Sequence, residues 1–256
     1  MRPVSAGDVT LIPVAGLPEI VLGDDLGTLI VAALAARGRA IEAGDVLVVT
    51  HKIVAKAEGA LVDLRTVSPS AMARDYAARW GKDPRQVEVV LQQSARIIRM
   101  DRGVLVVETR HGLICANAGV DLSNVPGGEI VCLLPEDPDL SARRIAVSVA
   151  AAGGGDAAVI VADTFGRPWR EGLVNVAIGV AGLRPLRDYV GQHDPAGHVL
   201  RVSTLAIADE LASASELVMG KLDRVPAALI RGYPYERGEG SAQELLRKPG
   251  LDMFRY

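Results

Sequence analysis

The run AAVIVADT (157–164) constrains the fold more than any other part of this 256-residue chain. Small and β-branched apolar residues in unbroken succession fit a strand buried on both faces. Gly153-Gly154-Gly155-Asp156 stands just before it and divides the Ala- and Val-rich stretch 145–162 into two short elements. That stretch therefore cannot act as one apolar span through a bilayer. The run ends on Asp163-Thr164 and continues as DTFGRPWREG (163–172), which reads as a loop after the strand. Carboxylate and hydroxyl oxygens are hard ligands for a divalent cation, and arginine suits phosphate, so Arg167 and Arg170 are expected to add phosphate-facing charge.

Further strands follow the same logic. Residues 8–14, DVLVVT (45–50), EIVCLL (129–134), NVAIGVAG (175–182) and VPAALIRG (225–232) are short and apolar. GVLVVET and GLICANA flank Arg110-His111 as a β-hairpin. Asp24-Asp25 caps a helix over 26–36, with Leu26, Leu29, Ile30, Ala33 and Leu34 on one face. Ser68-Pro69 opens a helix to Trp80, Pro84 to Arg99 reads as another, Ser141 starts one to about Ala152, and 204–219 is amphipathic. The tail from Tyr233 reads as irregular before a short final helix. Strands and helices mix without regular βαβ alternation, which predicts an α+β fold of mixed sheets with packed helices.

The net charge of −3 provides no basic footprint, which argues against nucleic acid as a partner. No N-terminal apolar h-region or membrane-length stretch is present, so no membrane partner is expected. Cys115 and Cys132 form neither a metal-ligand cluster nor a disulfide framework, and read as reduced, buried thiols of a cytoplasmic protein. Phosphate-loop, nucleophile-elbow, zinc-helix and dinucleotide fingerprints are missing.

What remains is a set of scattered oxygens and cations. CANAGVDLSN (115–124) carries Asp121 with Asn117 and Asn124 on either side, a second acidic loop to set beside Asp163. Each acid alone reads equally well as a turn cap. Together, two carboxylates would repel and raise one pKa unless a divalent cation joined them. Lys52 and Lys56 in THKIVAKAEG share one side if the segment is helical, either holding phosphates or lying as solvated surface lysines. Leu17-Pro18-Glu19-Ile20 is a proline turn with an acid. Gly220-Lys221, with Asp223 beyond, either wraps a nucleotide or forms a plain helix C-cap.

Five runs in order resemble one family, the coenzyme F-420 gamma-glutamyl ligases: GLPEI with GDDL, VVTHKIVAKAEG, ETRHGLICANAGVDLSNV, DTFGRPWREG with VAIGVAG, and VMGKLDRVPAALIRG. They cover nearly the whole chain. The resemblance implies a GTP-dependent ligase with an unusual α+β fold, two intimately associated subdomains and an intertwined homodimer. It implies a single domain over 1–256 without the C-terminal nitroreductase-like domain of some relatives. The implied reaction phosphorylates the lactyl carboxylate of a deazaflavin coenzyme precursor with GTP, then joins L-glutamate to it and extends through the γ-carboxylate. Glutamylation of another acid such as a folate, or nucleotide binding without turnover, are the alternatives. Implied metals are Mg2+ or Mn2+, with K+ assisting. By position, Asp121, Asp163 and Thr164 match metal ligands and the two acids act through the metal. Leu17, Pro18, Glu19, Ile20, His51, Lys52, Lys56, Asn124 and the segment Met219, Gly220, Lys221, Asp223 match GTP contacts. The chain departs from the family pattern at His51, where Ser or Thr is common, and at Leu173, where Gln is common.

Overall fold

The computed structural model describes residues 7–122 and 128–252. Thr10–Pro13 forms β1, and α1 spans Leu26–Ala35, where the Asp25 carboxylate accepts the Thr28 N–H as an N-cap. Strand β2 (Val46–Thr50) passes directly into α2 (His51–Glu58), which Gly59 ends in the left-handed conformation at φ 75°. Strand β3 (Leu61–Asp63) precedes α3 (Ala71–Trp80), capped by Ser70 rather than opened by Pro69, and α4 (Pro84–Gln92).

The helix expected to Arg99 stops at Gln92. Residues Ser94–Asp101 turn instead into β4, hydrogen-bonded to β5 (Val104–Thr109) through the Arg102-Gly103 turn. The expected hairpin pairs β5 with β6 (Ile114–Ala116). Strand β7 (Ile130–Cys132) pairs with β3. Helix α5 (Pro138–Ala151) starts before Ser141, because Asp137 caps it and Pro138 fits the first helical position.

Strands β8 (Ala158–Arg167) and β9 (Arg170–Ala181) form one long antiparallel hairpin. The segment from Asp163 is thus a continuation of the strand, and only its tip at Pro168-Trp169 turns. Asp163 lies opposite Val176, and Thr164 opposite Asn175. Strands β10 (Leu186–Asp188) and β11 (Thr204–Ala206) pair with each other; α6 (Ile207–Met219) and β12 (Ala227–Arg231) complete the regular elements, and short 3-10 turns at Ala242–Leu245 and Pro249–Leu251 end the described chain.

The central sheet runs β1-β12-β2-β8-β9 and is antiparallel except for the parallel pair β2–β8. Its inner strands are covered on both faces, which is why they read as unbroken apolar runs. Leu47, Val49, Val159 and Val161 pack toward α1 and α5; Val46, Val48, Ala158 and Ile160 pack toward α6. A third apolar cluster joins α3 and α4 to β5 and β7 through Tyr76, Val89, Leu105 and Val131. The architecture is mixed α+β. Among the described residues no helix is long and apolar enough to cross a membrane.

Candidate active site

The parallel register of β2 and β8 builds the site. Thr50 is level with Ala162, the last pair of the parallel register, so His51 at the start of α2 and Asp163 on the continuing β8 follow side by side. His51 Nδ1 lies 3.1 Å from Asp163 Oδ1, and the imidazole is only 2% exposed. Burial disfavours its charged form, but the charge and hydrogen bond of Asp163, with a contribution from Cys132, outweigh it and raise the pKa to about 9. Its Nε2 is buried and has no hydrogen-bond partner among the described residues.

One turn of α2 carries the other cations. Lys52 Nζ is 2.6 Å from Asp121 Oδ2, and Lys56 Nζ is 2.5 Å from Glu19 Oε1. Helical spacing puts both lysines on one side, as expected for four residues apart. Thr50 is the N-cap of α2, and it lines the cavity wall with His51, Lys52 and Ile53 of the helix's first turn. Asp121 reaches this neighbourhood through paired backbone hydrogen bonds with Cys132, the residue behind His51.

His51, Asp163 and the two lysines border a cavity of about 560 Å³, whereas Asp121, held by Lys52, is not among its lining residues. Leu17, Pro18, Glu19, Ile20, His51, Lys52, Lys56, Asp163, Thr164, Met219, Gly220 and Lys221 all line it. The structure thus gathers most of the expected residues from distant segments. Asp223 does not line it; its carboxylate sits against Gly220, whose backbone at φ 63° and ψ 172° is glycine-only territory. Asn124 lies outside the described residues. The expectation for the arginines is corrected: Arg167 binds the Glu171 and Gly172 carbonyls at the hairpin tip, and neither Arg167 nor Arg170 lines the cavity.

The two acids also differ from expectation in their compensation. Each carboxylate already has a cation, His51 for Asp163 and Lys52 for Asp121. Among the described residues no three His, Cys, Asp or Glu side chains gather as a ready-made metal cluster. The donor set still suits a hard divalent ion, because magnesium commonly takes one or two carboxylates and completes its shell with water and phosphate oxygens.

Asn175, Glu216 and Arg224 are among the wall residues that the sequence did not point to. Asn175 reaches across from β9, Glu216 from the last turn of α6, and Arg224 follows α6 with φ 55°. Asn175 sits inside an apolar run, and a polar residue there is the signal that could have exposed it. Glu216 resembles any solvated helix acid in sequence.

Comparison with known proteins gives a consistent result. A family model described as F420-0:Gamma-glutamyl ligase matches residues 16–232. The chain is 48% identical to the coenzyme F420:L-glutamate ligase of Methanothermobacter thermautotrophicus, over 96% of this chain and 99% of that protein. It is 46% identical to the enzyme of the same name from Methanopyrus kandleri, over 91% of this chain and 92% of that one. The namesake from Methanocaldococcus jannaschii is 39% identical over 84% and 86%.

Proposed function

Because the chain belongs to the F420-0:gamma-glutamyl ligase family, we propose that it joins L-glutamate to the lactyl carboxylate of the unglutamylated deazaflavin coenzyme, at the expense of GTP. Further glutamates are added through the γ-carboxylate, and the working form is a homodimer. The observation that carries this reading is the single cavity in which Lys52, Lys56, Asp163, Thr164 and Lys221 meet the Leu17–Ile20 turn.

The wall chemistry supports phosphoryl transfer. Lys52, Lys56 and the first turn of α2 bind the nucleotide's phosphates and orient the γ-phosphoryl group. An oxygen of the substrate carboxylate attacks the γ-phosphorus, the bond to the β-phosphate oxygen breaks, and GDP leaves. The amine of L-glutamate then attacks the acyl phosphate carbon, phosphate departs, and the amine gives up a proton. Such chemistry needs charge neutralisation and alignment rather than a protein nucleophile. Asp121, Asp163 and Thr164 would hold a magnesium or manganese ion, with K+ assisting nearby; when bound, the divalent ion neutralises phosphate charge.

The test is direct. Purified protein is incubated with the unglutamylated coenzyme, L-glutamate, GTP and Mn2+, and product mass is followed. One glutamyl unit gained per GDP released supports the ligase. GTP binding with no mass gain contradicts it for this acceptor.

A further inference from the structure

Four side chains on the cavity wall form a ring of three hydrogen bonds closed by an ion pair. Lys221 Nζ donates to Thr164 Oγ1 at 2.7 Å. Thr164 Oγ1 donates to Asn175 Oδ1 at 2.7 Å. Asn175 Nδ2 donates to Glu216 Oε2 at 2.9 Å, and Glu216 Oε1 lies 3.5 Å from Lys221 Nζ, closing the ring.

Donor and acceptor rules leave one arrangement. A carboxylate only accepts and an ammonium only donates. Glu216 therefore requires the NH2 side of Asn175 to face it, which turns the amide oxygen toward Thr164. Thr164 has one proton, and that oxygen takes it. Its lone pairs are all that remain for the cavity. Asn175 is 2% exposed on β9 and Ser213 Oγ donates to its backbone carbonyl, so the amide is held within the wall.

We propose that Asn175 and Glu216 are positioning residues that keep the Thr164 hydroxyl an acceptor toward the cavity, so that it receives a cation and turns no proton toward one. Lys221 takes that place in the structure, and Thr164 would offer the same oxygen to a divalent ion. The inference rests on the ligase reading above, in which Thr164 is a metal ligand. Neither Asn175 nor Glu216 touches substrate in this role; each acts through Thr164.

The experiment reads Mn2+ uptake by the non-turning protein–GTP complex, using the electron paramagnetic resonance signal of free Mn2+. Glu216→Leu releases Asn175 to rotate and is expected to weaken Mn2+ binding about tenfold, the usual scale for an outer partner of a ligand. Glu216→Gln keeps an acceptor for Asn175 Nδ2 and recovers binding to within about threefold of wild type, a rescue expected of amide orientation and not of charge. Thermal melts of both variants verify folding, and Glu216→Ala, at a partly exposed helical position, replaces the leucine variant if that one is unfolded. Wild-type affinity in the folded leucine or alanine variant overturns the inference, as does a glutamine variant as weak as either. A wild-type complex that takes up no Mn2+ overturns the metal reading itself, and this inference with it, so the two failures are distinct.

Discussion

His51 Nδ1 meets Asp163 Oδ1 at 3.1 Å because the parallel register of β2 and β8 sets Thr50 and Ala162, the residues before them, side by side. The pair is a buried ion pair at the root of the β8–β9 hairpin. Removing one partner strands the other, which costs far more than the pair's net contribution. His51→Ala is expected to destabilise the metal-free protein by about 3 kcal/mol, measured by urea unfolding.

The same pair makes stability depend on pH. The folded pKa of His51 is raised from 6.5 to about 9, so the folded state holds its proton more tightly than the unfolded one. The stabilisation is complete below pH 6.5, declines as pH rises, and is lost beyond about 9. Melting temperatures of metal-free protein between these limits should fall with pH, and the fall should be smaller in His51→Asn. Equal slopes in both proteins would contradict the assignment.

Lys56 separates nucleotide binding from stability. Its partner Glu19 is 69% exposed, so losing the pair leaves a carboxylate that water solvates well. Lys56→Met should raise the KM for GTP about tenfold, the scale of one charge-assisted phosphate contact, while unfolding free energy stays within about 1 kcal/mol. A KM unchanged from wild type would return Lys56 to a surface role.

Much of the central sheet was legible because β2, β8 and β12 are buried on both sides and carry no polar alternation. Asp25 marked the start of α1 for reasons of local backbone chemistry. The switch from α4 to β4 was not legible. SARIIRMD places Ile97 and Ile98 adjacent, which fits a helix flank or a strand, and its partner β5 decides between them. The hairpin was hidden for a similar reason. Gly166 and Pro168 signal a turn, yet cross-strand pairing carries β8 on to Arg167. In the site, Asp163 and the lysines stood out as charges beside apolar runs. Asn175 and Glu216 did not, because their role arises only when β9 and α6 meet Thr164.

Burial pushes the Cys115 thiol up to about 12, so almost no thiolate exists at pH 8. Cys132 is also buried and free. Native protein should resist iodoacetamide at that pH, and mass spectrometry should find both thiols alkylated once it is unfolded. Rapid native labelling would contradict this packing.

Gly179 in β9 lies where a Cβ would strike the Pro138 carbonyl at the start of α5. Gly179→Ala should therefore push α5 off the sheet and cost about 2 kcal/mol in denaturant unfolding, the scale of overpacking.

The most direct measurement is the mass of the deazaflavin acceptor after incubation with L-glutamate, GTP and Mn2+, run in parallel with Asp163→Ala. Wild type should gain one or more glutamyl units with one GDP released per unit, and the variant should lose both. No gain with wild type, or an undiminished rate in Asp163→Ala, would contradict the ligase reading.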